Sequence, residues 1–333
     1  MAKFEVPEDG TGIVKALNTH FESNRHLHTT RPENDLCFYL GTKGEIATRH
    51  NCPFCRIVTS ALRIGNNLTR IEELHVQWAE SQPKFDLVTI SERGNAEGGV
   101  LALGVRIIFC EGPNHTAPTK HWGRTTNPLG FDRDQITRWL ALCEDEHKTQ
   151  CGPNLARLST RLGSMDSHEF RLIDVRRECI VSCPWQSRYL ALSYVWGQVE
   201  QLRLQKCSID SLKAPGSLRK HRHRVPKTIR DAIRLVCLIG EKYLWVDTLC
   251  LVQDDRESMI DDIRSMDFIY QNALVTIVAA DEPDANGGLQ RLWSTSSSKT
   301  QSVQTIKPGL RLMALGAMDV HLKKSKWTSR AWT

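Results

Sequence analysis

Tyr189-Leu-Ala-Leu-Ser-Tyr194 is an apolar run of strand length, and a regular alternation of strand and helix patterns begins with it. A strand without polar alternation is typically buried on both faces. Residues 227–239 then carry apolar side chains at helical spacing with charged ones opposite, which predicts an amphipathic helix. A short strand at 243–247, a helix at 256–270 and a strand at 274–279 follow. This order predicts parallel strands joined by right-handed crossovers.

The region before residue 166 has weaker patterns. Residues 13–21, 52–62 and 132–147 are predicted helices, the second opened by a proline, and 84–92 and 100–110 are predicted strands that pair with each other. Short strands at 171–175 and 179–182 predict a hairpin that leads into the apolar run. We therefore predict an α/β protein with a doubly wound, mostly parallel sheet in a core domain at 166–333, and a mixed α+β region at 1–165.

Composition bounds the class of protein. With 40% hydrophobic and 25% charged residues in 333, the chain can bury a sizeable core. It shows neither an uninterrupted apolar run of about 18 residues nor a secretory signal, so we expect a cytoplasmic protein, with the nucleus as an alternative, and no membrane span. Eleven cysteines, an odd number, favour reduced thiols.

The net charge of +6 is modest, but its distribution is uneven. The charged residues in 201–230 are nearly all basic, and those in 246–267 are mostly acidic. The two segments therefore either face each other or the basic one is an exposed loop. Arg219-Lys-His-Arg-His-Arg224 resembles a nuclear-localisation or polyanion-binding run. A solvated loop is the competing interpretation. Since no aromatic residues are interleaved, nucleic acid is not an expected partner.

Polar segments follow each of the three predicted parallel strands. They are residues 193–197, 247–255 and 279–288, which mix polar groups with glycine, cysteine or tryptophan. The carboxyl ends of parallel strands meet at one edge of a sheet, where ligands gather. The sequence therefore predicts a small-molecule pocket at this edge.

Several long motifs in one order carry a family resemblance. They are Tyr189-Leu-Ala-Leu-Ser-Tyr-Val-Trp-Gly197, Pro226-Lys-Thr-Ile-Arg-Asp-Ala-Ile233, Tyr243-Leu-Trp-Val-Asp-Thr-Leu-Cys-Leu-Val-Gln-Asp-Asp255, a Met266-x-x-Ile-Tyr-x-x-Ala273 segment and Trp327-x-x-Arg-Ala-Trp-Thr333. Together they resemble the fungal heterokaryon-incompatibility (HET) domain. In that family the final motif continues into a Gln-Glu pair, so we expect the domain to be cut short at Thr333.

The resemblance implies a part in fungal non-self recognition, with the HET domain inducing programmed cell death. It also implies self-association or another incompatibility protein as partner. HET domains are regarded as remotely similar to TIR domains, whose doubly wound, flavodoxin-like sheet agrees with the order predicted above. Some TIR domains cleave NAD with a glutamate three positions after a cysteine. Here Gln253 follows Cys250 at that distance, and an amide cannot act as a carboxylate base.

NAD cleavage is the alternative function, with NAD as substrate and no certain cofactor. It needs a carboxylate to stabilise an oxocarbenium-like centre or hold ribose, and Asp247 and Glu257 are the candidates. Glu257 equally fits a helix capping box that begins at Asp254. Asp247 is equally a buried carboxylate that needs hydrogen-bond partners. The candidate ligand-binding residues are Ser193, Tyr194, Trp196, Gly197, Cys250 and Gln253.

Cys52 and Cys55 form a weak metal hypothesis. Two thiolates at this spacing can share a zinc ion, with His50 nearby. The chain has one such pair without a spaced histidine pair, and the apolar residues around it favour a core helix.

Overall fold

The computed structural model describes residues 36–64, 73–79, 84–91, 99–110, 123–125, 130–146, 169–289, 292, 301–307, 310–316, 322 and 325–329. The helix predicted at 13–21 lies outside these ranges. Two compact units divide the chain. The first comprises residues 1–126 and 298–321, and the second comprises 127–297 and 322–333. The domain boundary predicted between residues 165 and 166 falls outside the described residues and stays a prediction.

The first unit contains an antiparallel sheet. Its strands are β1 (Leu36–Thr42), β2 (Glu73–Ala79), β3 (Lys84–Ser91), β4 (Gly99–Cys110), β10 (Val303–Lys307) and β11 (Leu310–Gly316). They lie in the order β1-β2-β3-β4-β11-β10. The predicted pairing of β3 with β4 is confirmed. The sequence patterns did not predict β10 and β11; β11 pairs with β4, and β10 pairs with β11 at the edge of the sheet.

Two helices accompany this sheet, α1 (Lys43–Thr48) and α2 (Pro53–Ile64). The predicted helix opened by Pro53 is therefore confirmed. Thr42 and Glu45 close a capping box at the start of α1, each side chain bonding the other residue's backbone N–H. The inner face of α2 is fully buried at Phe54, Ile57, Val58 and Ala61. These side chains form one core with residues of β2, β4 and β11.

The second unit contains a five-stranded sheet. Its strands are β5 (Arg171–Asp174), β6 (Cys179–Ser182), β7 (Leu190–Tyr194), β8 (Tyr243–Trp245) and β9 (Thr276–Ala279), in the order β6-β5-β8-β7-β9. β7 pairs in parallel with both β8 and β9, as the strand-helix alternation predicts. β5 and β6 form the predicted hairpin, and β5 pairs antiparallel with β8. Every residue of β7 is buried, in agreement with its uninterrupted apolar pattern.

Helices connect the parallel strands. Between β7 and β8 the chain forms a 3₁₀ turn (Lys206–Ser208), α4 (Ile209–Lys213), α5 (Ser217–Lys220) and α6 (Lys227–Leu238). Between β8 and β9 it forms α7 (Asp247–Cys250) and α8 (Arg256–Asn272), while α3 (Arg133–Glu146) precedes the sheet. The core of the unit includes the fully buried residues Ile229 and Ala232 of α6 and Trp245 of β8.

The basic and acidic segments meet, which decides between the two arrangements left open by the sequence. Lys206 donates its backbone N–H to Asp254 at 2.9 Å, and its ammonium group lies 3.1 Å from the Asp255 carboxylate. Leu204 also exchanges backbone hydrogen bonds with Thr248 and Gln253. The run from Arg219 to Arg224 is mostly exposed, and Arg219 pairs with Glu178 at 2.9 Å.

The described part of the chain is thus mixed α/β and built on two sheets. Two of the four pairings in the second sheet are parallel and two antiparallel, so that sheet is mixed rather than mostly parallel. A doubly wound, TIR- or flavodoxin-like core is not confirmed by these pairings alone. None of the helices in the described ranges is long and apolar enough to cross a bilayer.

Candidate functional site

The carboxyl ends of β7, β8 and β9 lie at one edge of the second sheet, because the three strands are adjacent and parallel. A pocket of about 320 Å³ opens there. Its lining comes from the segments after β7 and β8 and from α8: Val195, Trp196, Asp247, Leu251, Gln253, Met259, Ile263 and Met266. Three of the predicted site residues, Trp196, Asp247 and Gln253, thus share one pocket. The rest of its lining is apolar.

Asp247 is the acidic residue of the pocket, and both of its carboxylate oxygens accept hydrogen bonds. The backbone N–H of Thr248 donates to Oδ1 at 2.7 Å, and the indole N–H of Trp196 donates to Oδ2 at 3.0 Å. The residue is 6% exposed. A buried carboxylate needs such donors, and these two meet that need within the protein. The arrangement fits a residue that positions the Trp196 ring.

Trp196 is held from two directions. Besides its bond to Asp247, the guanidinium carbon of Arg203 lies 5.5 Å from the indole centroid, within cation–π range. The side chain is half-buried and forms part of the pocket wall. Its orientation is therefore fixed before any ligand binds. A flat apolar group entering the pocket would meet an indole that is already in place.

Gln253 ties together the segment that follows β8. Its side-chain amide donates to the carbonyl oxygens of Asp247 at 3.1 Å and Leu251 at 3.0 Å. Its backbone N–H donates to the carbonyl of Leu204. Gln253, three positions after Cys250, thus braces this segment through its side-chain amide.

Ser193 and Tyr194 do not line this pocket. The Ser193 hydroxyl accepts a hydrogen bond from the indole N–H of Trp327 at 2.9 Å. Trp327 belongs to a 3₁₀ helix (Lys326–Ser329), so part of the last sequence motif contacts β7. The buried Tyr194 hydroxyl lies 3.2 Å from the Gln201 side-chain oxygen and 3.0 Å from the Thr248 hydroxyl. Both residues have structural partners at the strand end.

Gly197 allows the segment after β9 to approach the segment after β7. Its φ is +66°, a left-handed conformation that glycine adopts without strain. A Cβ at this position would overlap the side chain of Asp284 and lie 3.2 Å from its Cα. The neighbouring Ala285 N–H donates to the carbonyl of Trp196 at 3.3 Å. Close packing against Asp284 is therefore sufficient to require glycine at this position.

The start of α6 anchors the segment after β9. Asp231 is 6% exposed, and its Oδ2 accepts from the Lys227 ammonium group and from the backbone N–H of Leu289, both at 2.9 Å. The Thr228 hydroxyl accepts the N–H of Gly288 at 3.0 Å. We name Lys227, Thr228 and Asp231 the α6 anchor. These residues belong to a motif that carries the family resemblance, but the motif does not reveal that they anchor the segment after β9.

The α8 residues in the pocket wall were predicted from the sequence to lie in the core. Helical spacing predicts Met259, Ile263 and Met266 on an inward stripe, and Met266 is indeed 6% exposed. Ile263, by contrast, is 37% exposed and lines the pocket mouth. The apolar stripe was visible in the sequence, but spacing alone cannot distinguish a pocket wall from a core face.

Cys250 is buried behind the pocket and is not among its lining residues. Its sulfur accepts the backbone N–H of Val246 at 3.3 Å, and burial raises its pKa to about 12. The thiol is therefore protonated and unreactive near neutral pH. We expect iodoacetamide at pH 8 to label the exposed Cys207 and Cys237 while leaving Cys250 unlabelled in the folded protein. Peptide mass spectrometry measures this directly, and rapid labelling of Cys250 would contradict its burial.

Glu257 lies in the first turn of α8, and its side chain is outside the described residues. The capping box predicted from Asp254 is wrong. The N-cap of α8 is Asp255, which makes no side-chain capping hydrogen bond, and the Asp254 carboxylate instead accepts the backbone N–H of Lys206. Asp254 thus binds a backbone N–H that lies 48 residues away, in place of one in the first turn of α8.

Cys52 and Cys55 lie at the start of α2 in the first unit. The backbone N–H of Cys55 donates to the Cys52 sulfur at 3.4 Å. A hydrogen bond between the two thiols, together with burial, holds the pKa of Cys55 far above its usual range. Within the described ranges, no three or more His, Cys, Asp or Glu side chains cluster in a way that could hold a metal ion.

The second unit is thus a mixed α/β domain with a preformed, largely apolar pocket at the carboxyl edge of its parallel strands. Residues 189–333 match the family model of heterokaryon incompatibility protein (HET), which confirms the resemblance carried by the sequence motifs. The match begins one residue before β7. Comparison with curated proteins and comparison with solved structures both gave no match.

Proposed function

We propose that this protein acts in heterokaryon incompatibility, where its HET domain takes part in fungal non-self recognition and induces programmed cell death. The match of residues 189–333 to the HET family model carries the proposal. The protein works in the cytoplasm or the nucleus, and its partner is a second copy of itself or another incompatibility protein. Light scattering on the purified full chain distinguishes a self-associating protein from a monomer.

The pocket geometry supports binding better than catalysis. Asp247, the best-placed carboxylate, already accepts a hydrogen bond on each oxygen. Gln253 donates its amide to backbone carbonyls, and the remaining lining is apolar. A hydrolase needs a carboxylate directed at the reacting centre. We propose that the pocket binds a flat apolar group against Trp196, with Asp247 and Gln253 fixing the pocket wall.

A TIR-like core is part of the same proposal. The strand order β8-β7-β9, with helical crossovers through α6 and α8, follows the 2-1-3 order at the switch point of flavodoxin-like sheets. Right-handed crossovers in this order place the two helices on opposite faces. The antiparallel β5–β6 hairpin beside β8 is a departure from that pattern. An experimental structure of the full chain tests the placement of the helices.

Two isoleucines of α8 provide a matched test of the pocket in cells. Ile263 is 37% exposed and lines the pocket, whereas Ile260 is 54% exposed and is not among the lining residues. On induced expression in a filamentous fungus, we expect the wild-type chain to raise the fraction of dye-permeable, dying cells. Ile263→Glu should lower that fraction about tenfold, because a carboxylate in an apolar pocket costs at least about 1.4 kcal/mol of binding.

Ile260→Glu is the control and should kill as the wild type does at equal protein level. Equal loss of killing in both variants would reject the pocket as the functional site, and an inert wild-type chain would reject the proposed role in cell death. Incubating the purified wild type with NAD tests the alternative. Binding without catalysis predicts no nicotinamide release, whereas release abolished by Asp247→Asn would establish the hydrolase.

A further inference from the structure

Cys52 and Cys55 form a dithiol in the first unit and do not line the pocket of the second unit. Cys52 immediately precedes α2 and Cys55 lies in its first turn. Both side chains are partly exposed and pack against the edge of the core that buries Phe54, Ile57 and Val58. The pair is therefore fixed to a packed helix and still accessible from outside.

The Cys52 sulfur accepts hydrogen bonds from Cys55. It accepts the backbone N–H of Cys55 at 3.4 Å and the thiol proton of the same residue. The Arg49 guanidinium group also hydrogen-bonds to the pair through Cys55. The Cys55 N–H favours negative charge on the Cys52 sulfur, and the Arg49 guanidinium group favours it on the Cys55 sulfur, where the thiol–thiol bond opposes it. Because the two thiols are hydrogen-bonded to each other, a disulfide between them requires local movement alone.

Spacing and backbone also suit a bridge. Residues three apart in a helical turn have neighbouring Cβ atoms, and Cys52 lies just outside the regular helix, where small dihedral changes do not disturb the packed turns. A third metal ligand is not found near the pair within the described ranges. We propose that Cys52 and Cys55 form a redox-active dithiol that is oxidised to an intramolecular disulfide by a low-molecular-mass disulfide of the glutathione class.

The reaction is an ordinary double exchange. The Cys52 thiolate attacks one sulfur of the small disulfide, forming a mixed disulfide and expelling one thiolate, which takes up a proton. Cys55 then loses its proton and attacks the Cys52 sulfur, releasing the second small thiol. The protein loses two electrons and two protons, and the small disulfide gains both to become two thiols.

The test uses the full reduced chain, equilibrated without oxygen in glutathione buffers of varied ratio, then quenched with acid, alkylated and digested. We expect the peptide containing Cys52 and Cys55 to lose two hydrogens and to resist alkylation. For an intramolecular bridge, the ratio of oxidised to reduced protein falls with the square of the reduced glutathione concentration. A glutathione adduct at the exposed, single Cys207 falls only with the first power, which makes it an internal control.

Cys55→Ser should convert the response of Cys52 to a first-power adduct, because the resolving thiol is gone. Failure of the bridge to form at any ratio in the wild type would overturn the proposal, as would separate glutathione adducts on both cysteines. Protection of both thiols by added zinc, reversed by chelator and without loss of hydrogen, would also overturn it in favour of a metal site.

Discussion

Gly197→Ala is expected to lower the free energy of unfolding of the second unit by about 3 kcal/mol or more. The left-handed φ of +66° costs about 1–2 kcal/mol for alanine, and the new methyl group would in addition collide with Asp284. Since the overlapping atom is the Asp284 Cβ, whose position is fixed by the backbone, rotating the side chain cannot relieve the collision. Equilibrium urea unfolding, followed by tryptophan fluorescence, measures the change.

Gly216→Ala is the matched control. Gly216 has a similar φ of +75°, but a Cβ there would meet no atom within 4 Å. Only the conformational cost of about 1–2 kcal/mol applies to it. The difference between the two variants therefore isolates the close approach of the segments after β7 and β9. Equal destabilisation by the two substitutions would show that this contact does not exist in solution.

Asp231→Ala is expected to destabilise the second unit by about 3 kcal/mol. The substitution removes a buried acceptor, leaving the Leu289 N–H without its bond and the Lys227 ammonium group with the Gly287 carbonyl at 3.4 Å but no carboxylate. Lys227 is 42% exposed on its side chain, so water compensates part of that loss. We therefore expect the loss of unfolding free energy to lie at the lower end of the range for breaking a buried ion pair.

Two further substitutions separate the hydrogen bond from the ion pair. Asp231→Asn keeps an acceptor for Leu289 and should cost about 1 kcal/mol, and Lys227→Met should change stability by less than about 1 kcal/mol. Asp281→Ala, an exposed carboxylate in the same segment, should have an effect within about 0.5 kcal/mol. If Asp231→Ala destabilised the unit no more than Asp281→Ala, the α6 anchor would not stabilise this fold.

The parallel strands were predictable because their signal is local. The apolar run at β7 and the helical spacing in α6 and α8 depend on neighbours within a few residues, and side-chain periodicity follows directly from strand and helix geometry. The same patterns predict that the segments following β7 and β8 converge at one edge of the sheet. Trp196, Asp247 and Gln253 lie on these two segments, and all three line the pocket.

The failures share a different cause, which is partners distant in the chain. β11 joins the first unit by pairing with β4, about 200 residues earlier, and β10 pairs with β11. Lys206 displaces the expected local cap of α8, and the Trp196 bond to Asp247 spans 51 residues. Sequence patterns identify which polar groups need partners, but they do not identify the partner when the fold supplies it from elsewhere.

The backbone bonds that join the pocket wall to α6 run in series. Ala285 donates its N–H to the carbonyl of Trp196 and accepts the N–H of Thr228 on its own carbonyl. A ligand that tilts the Trp196 backbone must therefore either break the first bond or pull residue 285 and the first turn of α6 along with it. A displacement of the Trp196 backbone would in this way reach a helix whose residues are not among those that line the pocket.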